Sequence, residues 1–433
     1  MAGGEVNTES ASGCPVSGKL ADMTIADPEI RAHPNEFYKL MRHEDPVHYD
    51  EKLGMYLVSR YEDVQTVLRD PITFSVYHGY NAMYAKGFFD EFKEILERDG
   101  GGYFPDAIMS DPPYHTRIRG LAEKAFTAHR VKLLEPKIEA VIVDIIEGVM
   151  DKGEMDAVKE FAVPMTIRVI CEQLGLDQFD ADKIQRWSLA VTAQIGRMQD
   201  REKMRENAAE ICELQNYLIA RMREREANPS EDMISDIVHA KVGENEDDTL
   251  TFKEAVSLVR ALLIAGNETT ATALGNLMFL LATQPDLQEQ LYSIVDDDRL
   301  MTRFVEEILR LEPPVRGLSR MTTKEVELGG TVLPDRAHML ILYASGNDDE
   351  TKFECPRNFD PERKNLGSSV TFGGGVHRCI GSALARMEVK VAARELIRRV
   401  KDIKLAVPVE DIHYLPTIAT RSIEKLPITF SRR

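Results

Sequence analysis

Residues 251–282 impose the strongest constraint on any fold of this chain. Thr251 and Glu254 carry the S/T-x-x-E pattern of a capping box, and the helical run they open continues to about Ala282, roughly 45–50 Å at 1.5 Å per residue. A helix of that length crosses a domain of this size. Its flanks, AVSLVRALLIAG and TALGNLMFLLA, are apolar on most faces, which predicts burial among other elements. The middle breaks the rule: Gly266, Asn267, Glu268, Thr269 and Thr270 put a helix-weakening glycine and four polar residues where a core should be. Either that patch faces solvent, or the helix is locally opened to admit a small ligand and deliver protons to it.

A second stretch, TFGGGVHRCIGSALARME at 371–388, isolates one cysteine. Cys379 precedes a helical run, Ser382 to Val400, with apolar residues at Leu384, Met387, Val391 and Leu396. The unpaired N–H groups of a helix start favour a thiolate. Gly373, Gly374, Gly375 and Gly381 free the backbone for turns and for close approach of a flat, bulky group. Phe372 is placed to pack under such a group, and His377 and Arg378 bring positive charge to it. A lone cysteine in a glycine-rich turn is equally compatible with an inert buried thiol.

The ten residues FGGGVHRCIG resemble, at every fixed position, the haem-binding loop F-G-x-G-x-H-x-C-x-G of the cytochrome P450 family. By that resemblance Cys379 is the axial thiolate of haem b, donating electron density that favours O–O cleavage. Four further motifs follow the family's order over about residues 30–430. DPPYHTRIR at 111–119 resembles D-P-P-x-H-x-x-x-R, which implies that His115 and Arg119 hold the haem propionates, with Arg320 as a third such group. AGNETT at 265–270 resembles A-G-x-[DE]-T-T over the distal haem face, with Ala265 against the cofactor. Glu268 and Thr269 would be the acid and alcohol that deliver protons to bound dioxygen. Glu307 and Arg310, three apart on a helix face, match the family's structural ion pair. Around Asn347 relatives read A-N-R-D, whereas Asp348 stands here in place of the arginine, so the local ion pairs must differ.

The resemblance implies a mainly α fold with a small β-rich region, one large domain at 28–433 behind a disordered arm at 1–27. It implies a monooxygenase that hydroxylates or epoxidises an apolar small molecule: a terpenoid, steroid, fatty acid or aromatic. Phe104, Leu262, Gly266, Val315, Leu318 and either Ile418 or Ala419 would border the substrate, and Arg316 would either contact an anionic substrate or join a structural ion pair. Residues 75–109, aromatic-rich and without a clear period, would be irregular and lie over the haem, or else pack on the surface with a short helix at 88–98. The segment near Gly196 to Asp200 would be a lid, and 418–430 a hairpin. A peroxide-driven enzyme and a non-catalytic haem sensor are the rival readings, both disfavoured by the Glu268–Thr269 pair.

Composition narrows the partners. With 54 basic against 72 acidic residues the chain carries a formal charge of −18, which disfavours nucleic acid and anionic membranes. No stretch reaches the ~18–20 apolar residues of a membrane span, and the N-terminus has no apolar signal core. Five scattered cysteines without C-x-x-C spacing imply neither a disulfide framework nor a zinc site, in keeping with the cytoplasm. Without a flavin or iron–sulfur motif, electrons would come from a [2Fe–2S] ferredoxin and its NAD(P)H-dependent reductase. Lys364, Arg378, Arg386 and Lys390 around the cysteine loop would form its docking patch.

Overall fold

The computed structural model describes residues 19–83, 88–104, 109–125, 128–176, 180–196, 200–240 and 250–433. Its central element is the capped helix, Phe252–Thr283, helical throughout. Thr251 Oγ1 accepts the Glu254 N–H at 3.3 Å and the Glu254 carboxylate accepts the Thr251 N–H at 2.8 Å, the reciprocal pair expected of this cap. Among the described residues, the helices packed against it include Val163–Leu174 with the Ala157–Ala162 turn before it, Ala181–Gly196, Arg201–Ala227 and Ser382–Arg399. Leu263, Leu274, Leu277 and Leu281 of the long helix are fully buried among them. The polar middle does not open the helix. Instead Thr269 returns its hydroxyl to the Ala265 carbonyl at 2.8 Å, one turn back.

The β-rich region lies to one side. Strands Val47–Asp50, Met55–Val58, His338–Leu342, Gly317–Thr322 and Phe74–Ser75 stand side by side in that order, and only the Met55–Val58/His338–Leu342 pair is parallel. Every residue of His338–Leu342 is buried, as befits a central strand covered on both faces. Glu154–Asp156, Pro427–Arg432 and Val400–Leu405 form a second sheet with Pro427–Arg432 in the middle.

Several expectations need correction. Residues 19–27, assigned to a disordered arm, pack onto the domain: Leu20, Met23 and Ile25 join Phe37, Met41 and Met55 in one apolar cluster; residues 1–18 lie outside the described residues. Much of 75–109 is helical, at Val76–Met83 and Phe89–Asp99, because Phe92 and Leu96 recur at helical spacing and bury against Ala208 and Ile211. Residues 418–430 are not a hairpin of their own, since Pro427–Arg432 pairs with the distant Val400–Leu405 and Glu154–Asp156. Most of the lid segment, 197–199, lies outside the described residues.

Beneath the cysteine loop, Glu307 and Arg310 are wholly inaccessible and joined by two hydrogen bonds of 2.7 and 2.8 Å. Arg363 adds a third donor to Glu307 at 3.2 Å. The Asp348 exchange is answered nearby: Arg357 bonds Asp348 at 3.2 Å and Glu312 at 2.7 Å, and Glu312 also takes Arg421 at 2.7 Å. Arg316 forms no ion pair among the described residues. Its Nη2 donates to the Arg31 carbonyl while its Nε and Nη1 are buried without partners, and it does not line the cavity described below. Removing the Glu307 charge strands two buried guanidiniums. Glu307→Gln is expected to lower the unfolding free energy by ~3–5 kcal/mol in denaturant titrations, and an unchanged midpoint would refute the structural role given to this pair.

Candidate active site

The loop before the Ser382–Arg399 helix is held by its own backbone. Gly373 and Gly375 take φ of 65° and 61°, and a Cβ at Gly375 would collide with the Leu68 carbonyl, so glycine alone fits there. The Cys379 N–H donates to the Phe372 carbonyl at 2.9 Å, which closes the turn. This turn aims the thiol into a cavity of about 320 Å³ rather than into the core. Cys379 is exposed to the cavity, yet the protein crowded around it pushes its thiol up by desolvation, against the Gly381 N–H and the cations of Arg119, Arg386 and Arg378. The anticipated help from the helix start is therefore present but outweighed by desolvation in the protein alone.

The Tyr114–Ala125 helix and the cysteine loop together make one end of the cavity rich in donors. His115 and His377 stack with ring centroids 4.0 Å apart. Burial, reinforced by His115, Arg320 and Arg119, pushes His377 down to about 3, so its ring is neutral at physiological pH. Burial and Arg119 lower His115 as well. His115 Nδ1 and His377 Nε2 are buried without a partner. Arg119 joins them on the cavity wall while pairing with Glu123 at 2.7 Å. Arg320 reaches the cavity indirectly, through the hydroxyl of Tyr343.

Across from this end the long helix contributes Leu262, Ala265, Gly266, Glu268 and Thr269 to the same wall, and Phe372, Val315 and Leu318 also line it. No hydrogen bond to the Glu268 carboxyl occurs among the described residues, and burial pushes it up to about 7. Its neighbour Asn267 ties three helices together. The Thr166 hydroxyl donates to Asn267 Oδ1 at 2.8 Å and Asn267 Nδ2 donates to Ser188 Oγ at 2.9 Å.

Two expected pocket residues lie elsewhere. Ile418 is fully buried in the Phe37–Met41–Met55 cluster, and the alternative at this place, Ala419, is the one that lines the cavity with Thr420, its carbonyl accepting the Arg316 N–H at 2.8 Å. Phe104 packs against Ile118 and Trp187 and borders a small adjacent cavity of about 20 Å³. Of the aromatic segment, Tyr80 alone among its described aromatic residues lines the main cavity. The docking patch is also thinner than expected: Arg386 pairs with Glu306 and lies 4.1 Å from the Phe372 ring, and Lys390 pairs with Asp298 at 2.6 Å. Lys364 and Arg378 remain exposed.

Sequence reasoning passed over Glu388 and Arg260. Glu388 recurs nine residues after Cys379, and Arg260 interrupts an apolar run; each was a polar residue on a face that had to be buried. Glu388 lines the cavity, is 2% exposed, and is pushed up to about 8 by burial against an opposing hydrogen bond from Thr270.

Comparison with known proteins gives a consistent result. The family model described as Cytochrome P450 matches residues 48–401. Cytochrome P450 107B1 of Saccharopolyspora erythraea is 31% identical over 417 residues, covering 95% of this chain and 98% of that protein. Vitamin D(3) 25-hydroxylase of Pseudonocardia autotrophica is 30% identical over 412 residues, 93% of this chain and 94% of that one. Among solved structures, cytochrome P450 CREJ in complex with (4-ethylphenyl) dihydrogen phosphate superposes with a TM-score of 0.86 at 30% identity, over 95% of this chain and 100% of that chain.

The raised carboxyls make stability depend on pH. Glu388 ionises at an ordinary 4.5 when unfolded but at about 8 when folded. Between those values the folded state keeps a proton that the unfolded state has lost, so stability falls as pH rises through the window. Glu388→Gln is expected to melt close to the wild type at pH 5 and clearly above it at pH 8. Calorimetric scans with the same pH slope for both proteins would contradict this.

Proposed function

The chain belongs to the cytochrome P450 family and is a haem-thiolate monooxygenase, and we propose that it hydroxylates or epoxidises an apolar small molecule within the 320 Å³ cavity, where the Cys379 thiolate would hold the haem iron. One observation carries this reading: the Cys379 thiol, the Glu268 carboxyl and the Thr269 hydroxyl line a single, largely apolar cavity. Haem supplies, when bound, the iron at which dioxygen is reduced and one oxygen atom is transferred, the other leaving as water.

The residues present suit that cofactor. Two buried imidazole nitrogens lacking acceptors, on His115 and His377, lie with Arg119 at one end of the cavity, and Arg320 stands behind Tyr343. That donor set fits a pair of carboxylates, which would turn orphaned N–H groups into charge-assisted hydrogen bonds. Ala265 and Gly266 line the cavity with minimal side chains, which would leave room for a flat ring, and Phe372 would offer it an aromatic face. A coordinated thiol is deprotonated outright, so the desolvation that raises the free thiol is overcome on ligation.

Glu268 and Thr269 manage protons. Near pH 7 the Glu268 carboxyl is poised between its two forms, the condition for accepting a proton from solvent and passing it on. Because the Thr269 hydroxyl hydrogen is committed to the Ala265 carbonyl, its lone pairs are left to accept a hydrogen bond within the cavity. The apolar walls exclude bulk water from the substrate.

Hydroxylation of vitamin D3 is what the Pseudonocardia relative's name states, and an aryl phosphate occupies the CREJ structure. Together with the apolar lining they support a terpenoid, steroid, fatty acid or substituted aromatic as substrate. Electrons are assigned to a [2Fe–2S] ferredoxin with an NAD(P)H-dependent reductase, docking over the exposed Arg378 and Lys364. Reduced wild-type protein under carbon monoxide is expected to give the strongly red-shifted Soret band of thiolate-ligated haem, and Cys379→Ser to lose it; a histidine-type spectrum in the wild type would reject the assignment. Glu268→Gln should bind substrate with unchanged affinity yet turn over roughly 10²-fold more slowly, and wild-type turnover in that variant would remove Glu268 from the proton path.

A further inference from the structure

Three arginines line the cavity, Arg119, Arg260 and Arg378; Arg119 and Arg378 stand beside the cysteine end, whereas Arg260 is accounted for by neither the cofactor reading nor the packing of the described residues. Arg260 lies in the apolar N-terminal half of the long helix, 8% exposed, and lines both the main cavity and the small one beside it. Buried arginines are ordinarily matched by a carboxylate. Among the described residues none pairs with this one: its Nη1 donates to the Gln215 amide oxygen and its Nη2 to the Phe104 carbonyl at 3.3 Å, both uncharged. The amide is held in that orientation because Gln215 Nε2 donates to the Gly100 and Gly102 carbonyls at 2.7 and 3.0 Å. Arg260 Nε is left buried without any partner. The guanidinium is therefore fixed on two sides, belongs to a residue that lines the cavity, and carries a charge that no carboxylate among the described residues neutralises.

His115, Arg119, His377 and Arg320 gather at the cofactor end. Arg260 is separate from them. Ala265 and Thr269 follow it by five and nine residues on an unbroken helix, about 8 and 14 Å along the axis. A molecule anchored at Arg260 would thus extend past apolar walls, Leu258 and Leu262 among them, toward the Cys379 side.

We propose that Arg260 binds the anionic head group, a carboxylate or a phosphate monoester, of an otherwise apolar substrate, and that oxidation falls on carbon roughly 8–14 Å from that group and not beside it. This rests on the reading of the cavity as the substrate site. A guanidinium whose fork is already oriented offers charge and directed N–H groups at small entropic cost. A neutral head group would leave the buried charge unmatched, so the site discriminates by charge as well as by shape.

The test is isothermal titration of the haem-loaded protein with decanoate, decyl phosphate and 1-decanol, repeated on Arg260→Gln. At least one anion is expected to bind the wild type ten-fold or more tighter than 1-decanol, and the stronger of the two identifies the head group. In Arg260→Gln that preference should fall to about one while the affinity for 1-decanol stays the same. Equal affinity for all three ligands in the wild type overturns the proposal, and that comparison needs no folded variant. Equal weakening of all three in Arg260→Gln also overturns it, because the residue would then act only by holding Gln215 and the Phe104 segment. The carbon monoxide spectrum of the same samples reports separately on thiolate ligation, so failure of the cofactor reading is distinguishable from failure of this one.

Discussion

A carboxylate sealed from water must be surrounded by donors, and the position of the cysteine loop follows from how Glu307 meets that demand. Arg310 and Arg363 supply side-chain donors, and the Asp360 backbone N–H adds another at 3.1 Å. Arg310 also donates to the carbonyls of Asn347 and Pro356. Asn347 in turn holds the start of the cysteine loop, its Nδ2 donating to Thr371 Oγ1 and its Oδ1 accepting the Val370 N–H, both at 2.8 Å. Thr371 sits next to Phe372, whose carbonyl receives the Cys379 N–H. The chain of bonds thus runs from a water-free ion pair to the thiol. Such a pair contributes little to net stability compared with an apolar substitute; what it contributes here is the placement of one loop.

A second constraint comes from running a polar segment through the middle of a buried helix. Asn267 meets it by bonding, with both ends of its amide spent on Thr166 and Ser188. Thr269 meets it by folding its hydroxyl back on the helix. Glu268 does neither and faces the cavity, where burial favours its protonated form. The three consecutive residues therefore divide the labour. One fixes the neighbouring helices and one stays intact as an acceptor. The third is left unsatisfied, and an unsatisfied acid in a cavity is a usable one.

The sequence reading succeeded where a local pattern dictates geometry and failed where geometry is set by distant contacts. The capping box at Thr251 and the spacing of Glu307 and Arg310 are properties of a few adjacent residues, and the helix and pair they imply are present. Ile418 could not be placed, because its direction depends on a backbone hydrogen bond between Arg316 and Ala419 about one hundred residues apart. In the 75–109 segment the Phe92–Leu96 repeat supports the short helix that is one of the two readings, whereas the helix at Val76–Met83 has no clear apolar period to announce it. Arg260 was visible as a charge in an apolar run, yet its lack of a counter-ion is a fact of three dimensions. Asp348 showed the converse: the departure from the family pattern was evident, while its answer, Arg357, lay nine residues on.

The face behind the cysteine illustrates why charged residues in sequence overstate charged surface. Four cations surround the loop in the sequence, but Arg386 is drawn down onto the Phe372 ring and paired with Glu306, and Lys390 is matched by Asp298. Paired ions cancel at distances beyond a Debye length of ~8 Å, so they cannot steer an approaching acidic protein. Of the four, Arg378, which lies next to Cys379 and also lines the cavity, and Lys364 are the two left exposed. In a protein of net charge −18, two cations without an ion-pair partner among the described residues form a local contrast to the remainder of the surface. Association governed by so few charges would gain modest speed from electrostatics and depend chiefly on short-range fit, so a partner protein would be selected by shape around the loop more than by overall charge.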